Sequence, residues 1–307
     1  MKNQRGFALV ITLIVTALLV ALVAEFVNDV YVDTSARQNF VDGQQASLLA
    51  ESGVAGGIKV LQLTMASQQF TSLLDMWAKP LKFDDEQGSI EVTIEDEAAK
   101  INLNSIAGTK DFNPGYQLIA NRLLKKLGLS TDLLDGLADW VDDDDVARPS
   151  GGETAYYQAL KPPYRAKNGR FDTVEELGLV KGIDGKTFER LRPFVTVYAD
   201  VPLGQMAPVN VNTAPPEVLA ALDEGLSDEM VARIVDHRKT TPFKSAAGIL
   251  SVAGMEKIGI ALQSKIQATS STYRLISHGR VKDTTRIIEV VARVAGNKAT
   301  ILYWREY

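Results

Sequence analysis

Between residues 139 and 153 the chain gathers the side chains best suited to chemistry. They read Asp139-Trp-Val-Asp142-Asp143-Asp144-Asp145, then Arg148-Pro-Ser-Gly-Gly-Glu153, with Tyr156 and Tyr157 close behind. Five carboxylates within seven residues repel one another unless solvent or a cation relieves them, and oxygen donors at this density suit Ca²⁺. Asp142 and Asp144 stand two apart, so an irregular loop lets both face one ion, and the turn at Pro149-Ser-Gly-Gly brings Glu153 back to close the site. Asp139, at a helix end, and Asn168, beyond the Pro162-Pro163 pair, are further ligands for the same or a second ion. Asp143 and Asp145 alternate with the favoured pair and are read as solvated. The loop is not an EF-hand, because that motif's sixth-position Gly and the Glu that closes its loop are both missing. A solvated acidic loop without an ion has the same composition, and composition alone leaves both readings open.

Other chemistry finds no residues. There is no Cys, and His237 and His278 stand far apart without zinc-type spacing. Val180-Lys-Gly-Ile-Asp-Gly-Lys-Thr187 ends like a phosphate loop but has Val where the first Gly belongs and no strand before it. No dinucleotide fingerprint, nucleophile elbow or metalloprotease helix is present, so neither enzymatic activity nor a small-molecule substrate is expected. Leu177-Gly-Leu-Val-Lys-Gly-Ile183 and Ile249-Leu-Ser-Val-Ala-Gly-Met255 resemble the turns of helix-hairpin-helix units. Lys181 and Lys186 are too few for an electrostatic footprint, and a net charge of −5 speaks against nucleic acid as a partner, so these turns are read as packing elements.

These residues are positioned by a chain of 307 residues, 46% hydrophobic and 23% charged, the balance of a folded protein with room for two or more compact units beyond an anchor. From Phe7 to Ala24 no charge, Pro or Gly interrupts an apolar run of the length that crosses a bilayer as a helix. Lys2 and Arg5 precede it and Glu25, Asp29 and Asp33 follow, which puts Met1 in the cytoplasm and the bulk outside. A helical pattern continues over 25–63 with Phe26, Val30, Phe40, Val41, Leu48, Ala55, Ile58 and Leu61 along one face, and with Gly53, Gly56 and Gly57 read as close packing on a globular head. Alternation over Gly88–Glu95 predicts a half-buried strand, and similar patterns return only at Tyr273–Val281, Arg286–Val294 and Ala299–Trp304. The split sheet implies an α+β head, 64–98 plus 271–307, with an all-α segment, 99–270, inserted into it. That segment repeats. Lys100-Ile-Asn-Leu-Asn-Ser105 is echoed by Pro208-Val-Asn-Val-Asn-Thr213, and Phe171–Ile183 by Phe243–Met255, giving units of about 99–200 and 207–270.

Arg5-Gly6 followed by Phe7 at the polar–apolar junction resembles the class III leader of type IV pilins and type II secretion pseudopilins. The resemblance implies a leader of residues 1–6, cleavage after Gly6 by prepilin peptidase and methylation of the new N-terminal Phe7. Most of those proteins carry Glu at the fifth residue after the cut; here it is Ile11, as in the K-type minor pseudopilins. Asp139-Trp-Val-Asp142, Asp144, Arg148, Gly151, Glu153, Tyr157, Pro163-Tyr164, Asn168, Glu176-Leu177 and Asn210-Val-Asn-Thr-Ala214 are similar to that K-type family over nearly its whole length. Membership implies a type IV pilin-like fold, a long N-terminal helix plus small antiparallel sheet, with a calcium-binding insert of two SAM-like repeats. It further implies an inner-membrane anchor, a periplasmic head, and I-type and J-type minor pseudopilins and the major pseudopilin as partners at the tip of a secretion filament. A membrane-anchored DNA-uptake protein using the two helix-hairpin-helix-like turns, and a minor pilin of a type IV filament, which shares the leader, are the alternatives.

Overall fold

The computed structural model describes residues 4–107 and 112–307, so the first three residues of the expected leader, including Lys2, lie outside the described residues. Gln4–Ser67 forms one continuous helix, α1, of 64 residues, about 95 Å long at 1.5 Å per residue. Its large apolar side chains from Phe7 to Val41 stand exposed. Among the described residues it is the one helix long and apolar enough to cross a membrane, with an 18-residue window of mean hydropathy 3.0 and none of it buried.

From Asp42 onward α1 lies on a sheet, and the contact face is Ala46, Ala50, Gly53, Val54, Gly57 and Leu61, a run at the three-to-four spacing of a helix. These are mostly small residues because the backbones nearly touch. A Cβ added to Gly53 would lie 2.2 Å from Ser277 Oγ, and one added to Gly279 would lie 2.1 Å from the Ala46 carbonyl oxygen. The face read from the large residues is therefore corrected: Phe26, Val30, Phe40, Val41, Leu48 and Ala55 are exposed, and only Ile58 and Leu61 turn inward. Close packing holds at Gly53 and Gly57, whereas Gly56 faces open space.

After α1 the chain forms β1, Leu81–Asp85, and β2, Gly88–Asp96. The turn between them is held by the Asp85 carboxylate, which accepts hydrogen bonds from the backbone N–H of Gln87 (2.8 Å) and Gly88 (3.0 Å). The chain then leaves the sheet for 175 residues, 97–271, between the end of β2 and the start of the next sheet strand. This part runs β3, Ile101–Asn102; α2, Pro114–Lys126; α3, Leu133–Val141; α4, Thr154–Gln158; α5, Gly185–Leu191; and β4, Val195–Thr196. It continues with β5, Val209–Asn210; α6, Pro216–Leu222; α7, Asp228–Thr240; α8, Gly259–Leu262; and β6, Ile266–Gln267.

The same construction occurs twice in it. β3 pairs parallel with β4, and β5 with β6, so the segment expected to be all-α also holds two short parallel pairs, each of two residues per strand and too short to show a period in sequence. Beside each bridge a buried Asn clasps the backbone of a Phe: Phe171 N–H donates to Asn104 Oδ1 at 2.8 Å and Asn104 Nδ2 to the Phe171 carbonyl at 3.1 Å. Asn212 and Phe243 exchange the same two bonds at 2.8 and 2.9 Å. The second Asn of each Asn-x-Asn run is thus a clasp. Its amide satisfies a donor and an acceptor that would otherwise be buried without partners.

The chain returns through β7, Thr272–Val281; β8, Thr284–Ala295; and β9, Lys298–Glu306. The sheet order is β1-β2-β7-β8-β9, antiparallel throughout. Gly296 at φ +56° makes the expected β8–β9 turn. The expectation omitted β1, whose alternation, Leu81-Lys-Phe-Asp84, is only four residues long and directly follows Pro80. At the junction Arg274 Nε donates to Glu97 at 3.0 Å, and Arg274 also bonds Glu289, a buried ionic link between sheet and helical part.

Candidate metal centre

α3 buries Leu134, Leu137, Ala138, Trp140 and Val141, and the edge of Trp140 meets Tyr157, ring centroids 5.3 Å apart. The helix ends at Asp142, whose N–H donates to the Ala138 carbonyl at 2.9 Å before the chain turns extended. Asp139 stands one turn earlier on the same face, so the two carboxylates meet by helical geometry. Both are fully buried. The loop then reverses and delivers Glu153, the residue before α4, with 4% of its surface exposed. One oxygen from each of Asp139, Asp142 and Glu153 lies within 4.8 Å of the others.

Two residues make that approach possible. A Cβ at Gly151 would sit 1.9 Å from Asp139 Oδ2, so the loop passes only as glycine. Arg148 Nη1 donates to Asp139 at 2.6 Å and to Asp142, and the Arg148 backbone N–H donates to Asp139 Oδ2 at 3.0 Å. Sequence reasoning placed Gly151 in the turn that returns Glu153 and counted Arg148 only among the family-like residues, with no contact assigned to either. The Gly-Gly pair after an acidic run and the likeness to the K-type family were the visible signals.

Asn168 sits in the left-handed region at φ +47° and donates through Nδ2 to the Asp144 carbonyl at 3.0 Å. The Asp144 carboxylate is not in the converging trio; its Oδ1 accepts the Val146 N–H at 2.8 Å, which turns it along its own loop. The carboxylate that lies beside Asp142 is thus that of Asp139, while Asp144 stands next to the trio in the loop. Asp143 and Asp145 are exposed.

Asp142 Oδ1, both Glu153 carboxylate oxygens and Asn168 Oδ1 are buried without a hydrogen-bond partner. Burial, reinforced by Asp139 and Asp142, pushes the Glu153 carboxyl up to about 8, and burial likewise raises Asp142. Leaving such acceptors bare costs several kcal/mol, about 1–3 for each neutral group and more for a charged one. With all three ionised, the carboxylates against the Arg148 guanidinium leave two negative charges among hard oxygens, a donor set that suits Ca²⁺, Mg²⁺ or Mn²⁺ rather than a metal that favours nitrogen and sulfur.

The two hairpin turns share Gly182 at φ +86° and Gly254 at φ +89°. Lys181, in the first of them, is engaged: its Nζ bonds the Gly151 carbonyl and lies 4.8 Å from the Tyr156 ring centre.

The fold and site define a class: an α+β protein on a long, apolar N-terminal helix, with a large helical part carrying a buried acidic centre. Two family models, both described as "Type II secretion system (T2SS), protein K", match residues 99–200 and 209–269. Type II secretion system protein K of Klebsiella pneumoniae is 32% identical over 84% of this chain and 82% of its own. That of Pseudomonas aeruginosa is 31% identical over 80% of this chain and 75% of its own. The crystal structure of the GspK-GspI-GspJ complex from enterotoxigenic Escherichia coli contains a chain of the same fold, TM-score 0.74 at 21% identity, covering 90% of this chain and 99% of that one. The chain belongs to the type II secretion system protein K family, and it is a minor pseudopilin.

Proposed function

We propose that this subunit occupies the tip of the type II secretion pseudopilus and acts there as a structural, non-enzymatic component in export of folded proteins. The observation that carries the placement is Ile11, which lies exposed on the apolar half of α1 at the fifth position of the mature chain. In a bundle of N-terminal helices a carboxylate there neutralises the amino terminus of a neighbour in the apolar core; Ile cannot. The subunit fits where no earlier subunit awaits pairing, and its 175-residue excursion fits where nothing stacks above it. I-type and J-type minor pseudopilins are the partners at that tip, in line with the GspK-GspI-GspJ assembly of the fold relative, and the major pseudopilin forms the shaft below. A gold label on this chain is expected at one end of isolated filaments, and label spaced along the shaft overturns the placement.

The division of the chain follows the same reading: residues 64–98 with 271–307 as the pilin-like head, and 99–270 as an inserted domain of two SAM-like repeats. The anchor crosses the inner membrane once, with the N-terminus cytoplasmic and the bulk periplasmic. Prepilin peptidase cuts after Gly6, so Edman sequencing of the membrane-bound protein is expected to begin at Phe7. Retention of Met1 would remove the leader assignment.

Asp139, Asp142 and Glu153 hold Ca²⁺, with Asn168 offering a fourth oxygen. The support is the set of buried, unpartnered acceptors described above. The ion supplies no reaction here; it satisfies charge and ties the loop to α3, ordering the first helical unit.

A further inference from the structure

We infer that Arg148 is an internal cation that sets how strongly this protein depends on calcium, by standing in for part of the ion's charge when the ion is absent. The inference rests on the calcium reading above and assigns a new role within that site. One guanidinium nitrogen, Nη1, donates to both Asp139 and Asp142, so one edge of the cation sits between two fully buried carboxylates. The guanidinium carbon lies 4.7 Å from the centre of the Phe112 ring, a face that favours a cation. Its side chain is 15% exposed, so the charge is held inside the fold rather than in solvent.

Arg148 does not cover the whole site. Asp142 Oδ1 and both Glu153 oxygens stay without a partner, which leaves the divalent ion a place beside the guanidinium rather than instead of it. A cation already present has two effects of known sign. It relieves the repulsion between Asp139 and Asp142 in the ion-free protein, because breaking a buried pair leaves a bare charge. It also repels an incoming Ca²⁺, and unit charges a few ångströms apart inside a protein interact by several kcal/mol. Both effects make the ion-free state more tolerable and the ion less tightly held. Arg148 thus lets the loop stay assembled when free calcium falls.

The experiment compares thermal melts and calorimetric calcium titrations of the full chain in detergent, for wild type, Arg148→Gln and Arg148→Lys. Arg148→Gln is expected to melt lower than wild type in chelator, to recover in calcium chloride, and to bind calcium roughly tenfold or more tightly. Arg148→Lys keeps the charge on a side chain one bond shorter and is expected to fall between wild type and Arg148→Gln in both readouts. Folding of Arg148→Gln only in calcium supports the inference. Equal lowering of its melt with and without calcium, failure to fold in both, or calcium binding unchanged or weaker overturns it. A wild type whose melt ignores calcium overturns the calcium reading itself, whereas a wild type that responds while Arg148→Gln responds identically overturns only the role of Arg148.

Discussion

Removing calcium from the full chain at pH 8 is expected to lower its melting temperature by about 5 °C or more. A ligand at 100 times its dissociation constant stabilises the folded form by about 2.7 kcal/mol, and each kcal/mol is worth roughly 2–4 °C in a domain of this size. The size of the effect depends on pH with a definite sign. Without the ion, burial raises the Glu153 carboxyl from 4.5 to about 8, so between those values the folded protein holds a proton that the unfolded chain has released. Stability of the ion-free protein therefore falls as pH rises from about 4.5 to 8. Calcium takes that proton's place, so its stabilisation grows across the same window and levels off above it. Glu153→Gln is expected to abolish the calcium shift and to flatten this part of the ion-free profile. Asp144→Asn, whose carboxylate serves Val146, is expected to keep most of the shift. Melts in calcium and in chelator at pH 6 and pH 8 read all of this, and equal melts in both media would return the loop to a solvated acidic turn.

Gly279→Ala is expected to be among the most destabilising single-methyl additions in the chain, while Gly56→Ala, in the helix that packs on the same sheet, is expected to stabilise. At Gly279 the new Cβ would lie 2.1 Å from the Ala46 carbonyl oxygen and 2.5 Å from the Ala50 nitrogen, both backbone atoms of α1. No rotamer change relieves a clash with backbone, so α1 must lift off β7, and the cost falls at or beyond the upper end of the roughly 1–3 kcal/mol of ordinary overpacking. Gly56 has nothing within 4 Å of its missing Cβ, and replacing glycine by alanine inside a helix gains about 0.5–1 kcal/mol. Chemical denaturation of the two variants beside wild type checks both signs. Equal effects at the two positions would mean that the helix does not rest on the sheet as closely as these distances require.

Much of the molecule was legible in residue order because it depends on local preferences. The uncharged run from Phe7 to Ala24 and the absence of any Pro before Pro80 allow one long helix. Gly296-Asn297 closes a hairpin wherever it falls between two alternating runs. The echo of Asn104 and Phe171 in Asn212 and Phe243 marked a repeated unit before the amide clasp that explains it was visible. The acidic loop announced itself by composition.

Tertiary structure alone decided which face of α1 packs, because the sheet selects for backbone approach and so for Ala and Gly, while sequence patterns are read from large apolar residues. It alone revealed β1, whose four alternating residues are too short a run to read without the β2 partner beside them. It put the Asp139 carboxylate beside that of Asp142, since the two stand one helical turn apart at the end of α3, and turned the Asp144 carboxylate to a backbone N–H of its own loop. The turn through Gly151 was legible, but its contact with Asp139 and the place of Arg148 between two carboxylates emerged only when the loop folded back, because neither has a pattern along the chain. Spacing in sequence determines which groups can meet through a local period, and the return path of the chain determines which of them do.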